Sequence, residues 1–460
     1  MTIASILSRQ AARESAARTY ARTLPIVPVR ARGMTVEGAD GRRYLDCLSG
    51  AGTLALGHNH PAVVEVIRRV LDSEAPLHVL DLATPVKDEF TSELFASLPP
   101  AFADRDLRVQ FCGPAGTDAV EAAIKLARTA TGRHRLLAFT GAYHGMTEGA
   151  LAVSGDVERR GTDAVTRLPY PYPYRCPLGL GEPEGARVGA RWTESLLDDP
   201  RGGTGIPAAM LVEPVQGEGG VIPAPDSWLR EMRRITEERG IPLIVDEVQT
   251  GVGRTGRMWA VEHSGVVPDA MVVSKAVGGS LPLAAVVYRS DLDLWQPGAH
   301  AGTFRGNQLA MAAGAATLRF VREQRLDERA ADLGGRMLER LRELTRRHRC
   351  VGEARGRGLM LGLELVRPDA DPDGLGARPP APELARAVQR EALRRGLIVE
   401  TGGRDGCVVR LLPPLTMSEE QAEAVLERLD DALTAAAAGP PIPAPLGAGA
   451  VSTDWAGAGR

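Results

Sequence analysis

The chain has 460 residues, of which 44% are hydrophobic and 25% charged, and its formal net charge is -3. This composition is typical of a globular protein with a large core, and it gives no electrostatic reason to expect nucleic acid or an anionic membrane as a partner. The five cysteines are odd in number and lack CxxC spacing. They indicate neither a disulfide framework nor a zinc site, and they favour a reducing, cytoplasmic location.

The N-terminal segment before Pro25 is rich in Arg, Ala and Ser. Its composition is similar to that of an organelle transit peptide, but we interpret it as an exposed surface helix that ends near Pro25. The sequence has no apolar run long enough to predict a transmembrane helix.

Short β-rich apolar runs alternate with helical stretches through the middle of the chain, a pattern that predicts an α/β sheet covered by helices on both faces. The runs occupy residues 108–112, 136–140, 208–214, 241–247, 270–275 and 283–289. After a long amphipathic helix that starts near Asn307, short strands and helices indicate a smaller α+β unit. A further strand pattern lies within residues 30–60 and contains the hairpin signal Asp40-Gly41.

Lysine is rare in this chain, because Lys87, Lys125 and Lys275 are the only lysines among 55 basic residues. Arginine cannot lose its proton near neutral pH and condense with a carbonyl, whereas lysine can. Lys275 and Asp246 each end a predicted strand, and ligands of parallel sheets gather beyond the carboxyl ends of strands. These two residues are therefore candidates for one shared site, although chance survival of a lone lysine is the alternative.

A candidate anion cradle follows the strand at 108–112. Gly116 and Thr117 open a predicted helix, whose backbone N–H groups and positive end can hold a phosphate. A lysine, a carboxylate and an anion cradle are what pyridoxal phosphate (PLP) requires. Taken alone, the cradle is equally consistent with an ordinary strand-to-helix turn.

Two other patterns are interpreted as structural. Residues 251–256 match GxGxxG, but residues 247–250 separate them from the strand and no clean helix follows, so a nicotinamide or flavin site is not favoured. His58 and His60 lack a third ligand and indicate a turn before Pro61, so we predict no metal.

The string from Leu243 to Gly256, followed by Ser274-Lys275-Ala276, resembles the signature of class III PLP-dependent aminotransferases. The resemblance extends from about Pro28 to 433. It implies PLP fold type I, with a large domain built on a mainly parallel seven-stranded sheet and a small α+β domain. It also implies a homodimer with shared active sites.

The resemblance also implies a division of the chain into four parts. The first contributes to the small domain, the second is the large PLP-binding domain, the third is the C-terminal small domain, and the fourth is a low-complexity tail that is predicted to be disordered. They occupy residues 1–60, 61–325, 326–435 and 436–460.

By the same resemblance, Lys275 attaches the cofactor covalently and then moves the proton of the reaction. Asp246 pairs with the pyridine nitrogen, Val248 and Tyr143 pack on the two faces of the ring, and Gln249 reaches its phenolic oxygen. Without the family resemblance, Tyr143 would be interpreted as an aromatic residue of the core and Asp246 as a helix or turn cap at the end of a strand.

The phosphate is assigned by resemblance to Gly116 and Thr117 of one subunit and to Thr303 of the other. On the substrate side the resemblance points to Glu213, Glu218 and Arg410. Glu218 is expected to neutralise Arg410 while an ω-amine donor is bound, and the α-carboxylate of 2-oxoglutarate is expected to replace it. Without the family resemblance, Glu218 and Arg410 would be interpreted as solvated charges on the surface.

Residues 49–61, 84–90 and 168–177 resemble family members that act on L-2,4-diaminobutyrate and 2-oxoglutarate. The expected reaction transfers the 4-amino group between diaminobutyrate/L-aspartate 4-semialdehyde and 2-oxoglutarate/L-glutamate. Ala55 and Ser280 depart from the pattern, where Asn and Gly are usual. The alternatives are another ω-aminotransferase acting on ornithine or 4-aminobutyrate, a PLP aminomutase, and an inactive α/β scaffold.

Overall fold

The computed structural model describes residues 3–155 and 164–438, and these contain thirteen α-helices. The helices are Ile3–Arg13 (α1), Tyr20–Thr23 (α2), Pro61–Asp72 (α3), Pro85–Ser97 (α4), Pro100–Ala103 (α5), Gly116–Thr131 (α6), Glu148–Val153 (α7), Glu184–Asp198 (α8), Asp226–Glu238 (α9), Gln308–Glu323 (α10), Leu326–Arg347 (α11), Pro382–Arg394 (α12) and Glu419–Ala437 (α13).

The same residues form seventeen β-strands, arranged in four sheets. The strands are Pro28–Arg32 (β1), Thr35–Gly38 (β2), Arg43–Asp46 (β3), Leu107–Phe111 (β4), Leu136–Phe139 (β5), Val165–Leu168 (β6), Ala209–Val212 (β7), Val215–Gln216 (β8), Ile222–Pro223 (β9), Leu243–Asp246 (β10), Ala270–Val273 (β11), Ala285–Arg289 (β12), Val351–Arg357 (β13), Met360–Leu365 (β14), Leu397–Ile398 (β15), Glu400–Gly402 (β16) and Val408–Leu411 (β17).

The largest sheet has seven strands in the order β4-β12-β11-β10-β7-β5-β6. β12 runs antiparallel to both of its neighbours, and the remaining pairs are parallel. The predicted α/β fold with a mainly parallel seven-stranded sheet is confirmed. All six predicted apolar runs form strands of this sheet. The seventh strand, β6, lies at the edge and is largely half-buried, so it shows no apolar run in the sequence.

Both faces of the large sheet are covered, as the strand composition predicts. Leu243 and Val245 of β10 belong to the main apolar core, whereas Ile244 between them belongs to a second cluster that includes buried residues of α6. Successive side chains of a strand point to opposite faces, so a strand that is apolar throughout is buried on both sides. β10 and β11 pair in parallel, so their carboxyl ends lie at the same edge of the sheet.

Two smaller sheets involve the ends of the chain. One has the order β1-β2-β3-β15, with β15 parallel to β3, and the other has the order β13-β14-β17-β16. Segments from before residue 47 and after residue 396 thus share one sheet. The predicted boundary at 325/326 falls in the turn between α10 and α11. α13 ends at Ala437, inside the segment predicted as a tail from 436, and residues 439–460 of that tail lie outside the described residues.

The N-terminal segment differs from its prediction as one helix that ends near Pro25, because α1 and α2 are separate. Arginine side chains bond to backbone oxygens in the break: Arg22 donates from Nη2 to the Ala16 oxygen at 2.8 Å and from Nε to the Arg18 oxygen at 3.1 Å. Neither helix has a fully buried residue that would favour one continuous element. Within the described residues, no helix combines the length and apolar character that crossing a membrane would require.

Candidate active site

A cavity of about 340 Å³ opens beyond the carboxyl ends of β10 and β11. It is the place where the sheet topology predicts a ligand. The residues that line it are Ala115, Gly116, Thr117, Tyr143, His144, Gly145, Met146, Glu213, Glu218, Asp246, Val248, Gln249, Thr250 and Lys275. Most of the residues predicted for the site are therefore in one place, including the lysine and the aspartate that the sequence leaves on separate strands.

Lys275 begins a single 3-10 turn, Lys275–Gly278, just after β11. Its φ of +50° lies in the left-handed region, which few residues other than glycine adopt. Burial lowers the pKa of its amine, and the carboxylate of Glu218 opposes that shift without cancelling it. A lowered pKa increases the uncharged fraction of the amine, which is the form that condenses with a carbonyl.

Asp246 ends β10 and is almost fully buried. One of its oxygens, Oδ1, accepts the Val248 N–H at 3.0 Å, and the other, Oδ2, lies 2.7 Å from Nδ1 of His144. Burial lowers the pKa of His144, but its hydrogen bond to Asp246 and the charge of that carboxylate outweigh burial, so the net shift is upward. The sequence motifs did not predict a role for His144. Its position directly after Tyr143, a predicted cofactor-binding residue, was the one feature that could have indicated it.

The predicted anion cradle is the N-terminus of α6. Gly116 is its first residue, and the N–H groups of a first helical turn lack partners within the helix. A Cβ at Gly116 would lie 2.9 Å from Cγ1 of Val248, so only glycine allows this close approach to the cavity wall. The hydroxyl of Thr117 lies 2.7 Å from that of Thr147. This end of the cavity therefore combines N–H donors and a hydroxyl, which suit an anion.

Glu213 is buried and joins two loops of the site. Its Oε2 accepts the Tyr143 N–H at 3.1 Å and its Oε1 accepts the Gly217 N–H at 3.2 Å. Burial raises the pKa of this carboxyl to about 7. Tyr143 is 42% exposed and, like Val248, lines the cavity.

Arg410 is fully buried and pairs with Glu218, which lines the cavity in front of it. Its Nη2 donates to Oε2 of Glu218 at 2.8 Å, and a second carboxylate, Glu400, lies 2.5 Å from the same nitrogen. Burial raises the pKa of Glu218, but the charges of Arg410 and Lys275 outweigh it, so the pKa lies below its ordinary value. Glu400 differs, because burial holds its pKa above the ordinary value.

Two further contacts complete this end of the cavity. Nε2 of Gln249 donates to Oε1 of Glu218 at 3.3 Å and to the Ala51 oxygen at 3.2 Å. The hydroxyl of Tyr20 donates to Oε1 of Glu400 at 2.8 Å. The sequence predicted the Glu218–Arg410 pair through the family resemblance, but it missed Glu400 and Tyr20, which have no motif of their own.

Apart from Arg410, which lies behind Glu218, Thr303 is the predicted site residue that does not line this cavity. It begins an exposed 3-10 turn, Thr303–Gly306, next to Phe304, which is 65% exposed. The structure contains one subunit, so the predicted contact of Thr303 with a phosphate in the partner stays a prediction.

The two patterns interpreted as structural have local roles. Nε2 of His58 lies 2.8 Å from Oδ2 of Asp46, whose other oxygen accepts the backbone N–H groups of Leu48 and Ser49. Residues 251–256 form successive turns, and a single 3-10 turn, Ala260–His263, follows them rather than an α-helix. A helix N-terminus that could bind a pyrophosphate is therefore missing after residue 256.

The chain is similar to proteins of known class. The sequence profile described as "Aminotransferase class-III" matches residues 15–433. A diaminobutyrate--2-oxoglutarate aminotransferase of Rhizobium meliloti is 55% identical over 91% of this chain and 90% of its own length. One of Haemophilus influenzae is 47% identical over 92% and 93%.

Solved structures have the same fold. A PLP-bound amine transaminase from an uncultivated Pseudomonas species is 31% identical, with a TM-score of 0.82 over 92% of this chain and 97% of its own. The ornithine aminotransferase of Toxoplasma gondii is 26% identical, with a TM-score of 0.78 over 95% and 96%. The profile covers most of the chain. The chain belongs to the class III aminotransferase family.

Proposed function

We propose that the chain is a PLP-dependent aminotransferase that moves the 4-amino group between L-2,4-diaminobutyrate/L-aspartate 4-semialdehyde and 2-oxoglutarate/L-glutamate. The observation that carries this proposal is the ion pair of Arg410 with Glu218, which faces the same cavity as Lys275. A site of this kind suits two unlike substrates in turn. The names of the relatives in Rhizobium meliloti and Haemophilus influenzae support the same pair of substrates.

The residues around the cavity fit PLP. The α6 N-terminus at Gly116 and the hydroxyl of Thr117 are suited to its phosphate, and Asp246 is suited to its pyridine nitrogen. Lys275 offers an amine of lowered pKa for its aldehyde. When bound, PLP supplies an electron-poor ring that stabilises negative charge on the reacting carbon of the substrate. In this proposal Val248 and Tyr143 pack on that ring and Gln249 reaches its phenolic oxygen; all three line the cavity.

Two residues of the chain handle protons in this proposal. The amine of Lys275 removes a proton from the reacting carbon of the substrate and returns one to the cofactor side, because it is the free base in reach. Asp246 holds the proton on the ring nitrogen as a buried carboxylate. Its own orientation is fixed by the imidazole of His144 and by the Val248 N–H.

The two substrates have matching lengths. In diaminobutyrate the same number of carbon–carbon bonds separates the reacting carbon from the carboxylate as separates the reacting carbon of 2-oxoglutarate from its distal carboxylate. One distal position can therefore hold both carboxylates. The substrates differ at the other end, because 2-oxoglutarate carries an α-carboxylate next to its reacting carbon and diaminobutyrate carries none.

Glu218 acts as a gate at Arg410, because it either pairs with the guanidinium or moves away, depending on which substrate is bound. With diaminobutyrate bound, Glu218 stays on Arg410 and prevents an unpaired buried charge. With 2-oxoglutarate, the α-carboxylate replaces Glu218 and takes Arg410 in a two-pronged hydrogen bond. Glu213, a buried residue that lines the cavity, positions the loop that carries Glu218 through the Gly217 N–H.

We also propose a cytoplasmic homodimer in which Thr303 of each subunit completes the phosphate site of the other. Support comes from the exposed position of Thr303 beside the apolar Phe304 and from the free state of all five cysteines. Sedimentation equilibrium measures the assembly. Mixing inactive Lys275→Ala and Thr303→Arg chains should restore about a quarter of the activity if sites are shared between subunits, because one of the two sites in each mixed dimer is then intact.

Single-turnover conversion of the bound cofactor tests the reaction. The PLP form of the enzyme is mixed with diaminobutyrate, 4-aminobutyrate or ornithine, and the absorbance change of the cofactor is followed. The two comparison amines are matched controls: 4-aminobutyrate has the length of diaminobutyrate without its α-amino group, and ornithine is longer by one methylene group. Glutamate formed from 2-oxoglutarate is then measured in steady state.

We expect diaminobutyrate to react faster than either comparison amine by about tenfold or more, because each comparison amine loses one polar contact or the correct length. A preference for ornithine or 4-aminobutyrate assigns the chain to another ω-aminotransferase. Turnover without any keto acid assigns it to the aminomutases, and a protein that stays colourless after PLP is added contradicts the proposal as a whole.

A further inference from the structure

We infer that Glu400, held by the hydroxyl of Tyr20, is a fixed counter-ion of Arg410 that increases the population of the open arrangement, in which Glu218 has left. This inference rests on the proposed function, in which Arg410 receives the α-carboxylate of 2-oxoglutarate. Glu400 acts here through Arg410 and is a positioning residue, because it does not line the cavity among the described residues.

The two carboxylates approach the same nitrogen atom. Oε2 of Glu218 lies 2.8 Å from Nη2 of Arg410, and Oε2 of Glu400 lies 2.5 Å from it. Glu400 lies directly opposite Arg410 in the antiparallel pair β16–β17, so the position of its backbone is set by strand register. One guanidinium therefore faces two negative charges that repel each other.

The surroundings show which carboxylate stays. Glu400 is only 7% exposed, belongs to a strand, and accepts a hydrogen bond of 2.8 Å from Tyr20 on its other oxygen. Glu218 lies in the loop between β8 and β9 and faces the cavity, and its other oxygen accepts only a longer hydrogen bond, 3.3 Å, from Gln249. Glu218 is thus the carboxylate that can move away from Arg410, and Glu400 is the one that stays beside it.

Glu400 makes this departure favourable in two ways. Arg410 is fully buried, so without Glu400 it would become an unpaired buried charge whenever Glu218 left, a strongly unfavourable state. Glu400 keeps the guanidinium paired during the exchange. It also repels Glu218, and this repulsion is relieved when Glu218 leaves.

Arg410 retains donors for the incoming carboxylate. Within residues 3–155 and 164–438, its Nε and Nη1 are buried and have no hydrogen-bond partner. Departure of Glu218 frees the N–H of Nη2 that pointed at it, which together with the neighbouring one of these nitrogens gives the two-pronged geometry that a carboxylate prefers. Oε2 of Glu400 lies close to Nη2 as an ion pair, but it accepts no hydrogen bond within the described residues, so it uses none of these donors.

The role predicts an unusual kinetic signature for Glu400→Gln, which removes the charge and keeps the shape. The open arrangement becomes rarer, so association of a carboxylate with Arg410 slows in proportion. A bound carboxylate also escapes the repulsion of Glu400, so it dissociates more slowly. The two effects offset each other in the dissociation constant, because Glu218 and the ligand lose the same repulsion.

The experiment uses the PLP-loaded enzyme and glutarate, a five-carbon dicarboxylate that has no carbonyl and cannot react. Stopped-flow absorbance gives its rate constants, and calorimetry gives its dissociation constant. For Glu400→Gln we expect the association and dissociation rate constants each to fall about tenfold, with a dissociation constant within about threefold of the wild-type value. Single turnover should slow about tenfold with 2-oxoglutarate and less than about twofold with diaminobutyrate, which does not require the gate to open.

Two further variants keep the test decisive. Tyr20→Phe removes the hydroxyl that holds Glu400 and keeps the aromatic ring. Because Tyr20 is exposed, this variant can be tested even if Glu400→Gln does not fold. We expect the association and dissociation rate constants of glutarate each to fall about threefold. Asp405→Asn is the matched control, because it removes an exposed negative charge from the turn of the same hairpin. It should leave both rate constants unchanged.

A double variant isolates the coupling to Glu218. In a Glu218→Ala background there is no gate to open, so adding Glu400→Gln should no longer slow the association of glutarate. An equal slowing in both backgrounds overturns the inference. Faster association in Glu400→Gln overturns it as well, because Glu400 would then only repel anions, and so does an equal loss in both half-reactions, which would indicate a general structural role.

The outcomes separate this inference from the proposed function. If the wild-type enzyme reacts with neither diaminobutyrate nor glutamate, the proposed function fails. If the wild-type enzyme performs both half-reactions and Glu400→Gln and Tyr20→Phe leave the glutarate rate constants unchanged, only the role of Glu400 fails.

Discussion

Asp246 and His144 form a buried pair, with Oδ2 of the carboxylate 2.7 Å from Nδ1 of the imidazole. The pKa of His144 is raised from its ordinary 6.5 because Asp246 outweighs burial. A raised pKa in the folded state means that the stabilisation is complete below the ordinary value and is lost as pH rises through the folded value. The pair therefore stabilises the fold most at mildly acidic pH.

The variant His144→Gln tests this pH dependence. We expect the cofactor-free variant to have a lower unfolding temperature than the cofactor-free wild type. The difference between the two unfolding temperatures should shrink as pH rises from about 6 to about 9. Thermal unfolding followed by circular dichroism measures it. A difference that stays constant across this range would show that His144 contributes packing but not charge.

The prediction for Glu213 concerns a different pH window. Its carboxyl has an ordinary pKa of 4.5 and a folded pKa of about 7, so its contribution to stability is complete below 4.5 and is lost as pH rises through about 7. In Glu213→Gln this loss is absent. The wild type should therefore lose stability relative to the variant between these two pH values.

At low pH the Glu213→Gln variant should be less stable by about 1–3 kcal/mol, because an amide can accept only one of the two N–H groups that Glu213 accepts. Unfolding midpoints of both proteins across the pH range provide the measurement. Parallel curves would contradict the raised pKa.

Gly116→Ala tests the close approach in the phosphate cradle. The new Cβ would lie 2.9 Å from Cγ1 of Val248, so the wall of the cavity must shift, at a cost of about 1–3 kcal/mol. We expect a weaker affinity for PLP, measured by fluorescence titration of the cofactor-free enzyme. Gly335→Ala is the matched control: this helical glycine of α11 has no atom within 4 Å of an added Cβ, so PLP affinity should not change and the fold should gain up to about 1 kcal/mol.

Lys275→Ala should remove turnover by about four orders of magnitude while the fold persists, because no other amine lines the cavity in the part of the chain described. Lys275→Arg is the informative companion, since it keeps a positive charge but cannot condense with a carbonyl. Both variants should lack the absorbance of lysine-bound PLP. Retained activity in either would contradict the assignment, and circular dichroism verifies the fold.

The sequence was sufficient for the large sheet and for the chemistry at its edge. Asp246 ends β10 and Lys275 follows just after β11, the parallel neighbour of β10, so their order along the chain largely determines their proximity. The family resemblance linked Glu218 to Arg410, and the two are in contact. β6 was missed because an edge strand that is half-buried has no apolar run.

Tyr20 and Glu400 could not have been found from the sequence. They are separated by 380 residues, and their contact depends on how the N-terminal helices lie against the C-terminal sheet. Glu400 lies opposite Arg410 because of the register of β16 and β17. The sequence pattern of a short hairpin with a long turn does not predict that register. The break between α1 and α2 was not predicted either; Arg22 bonds to two backbone oxygens within it, a contact that has no sequence motif.

The loop that carries Glu218 is fastened to the C-terminal part of the chain at the glutamate itself and just after it. The Gly403 N–H donates to the Glu218 backbone oxygen at 3.0 Å, and the guanidinium of Arg355 donates to the Gly220 oxygen at 2.7 Å. Because its main chain is fastened, Glu218 exchanges by rotation about its own χ angles. The proposed exchange therefore needs no rearrangement of the main chain, and the rate at which keto acids are accepted depends on how often this side chain occupies its swung-out rotamer.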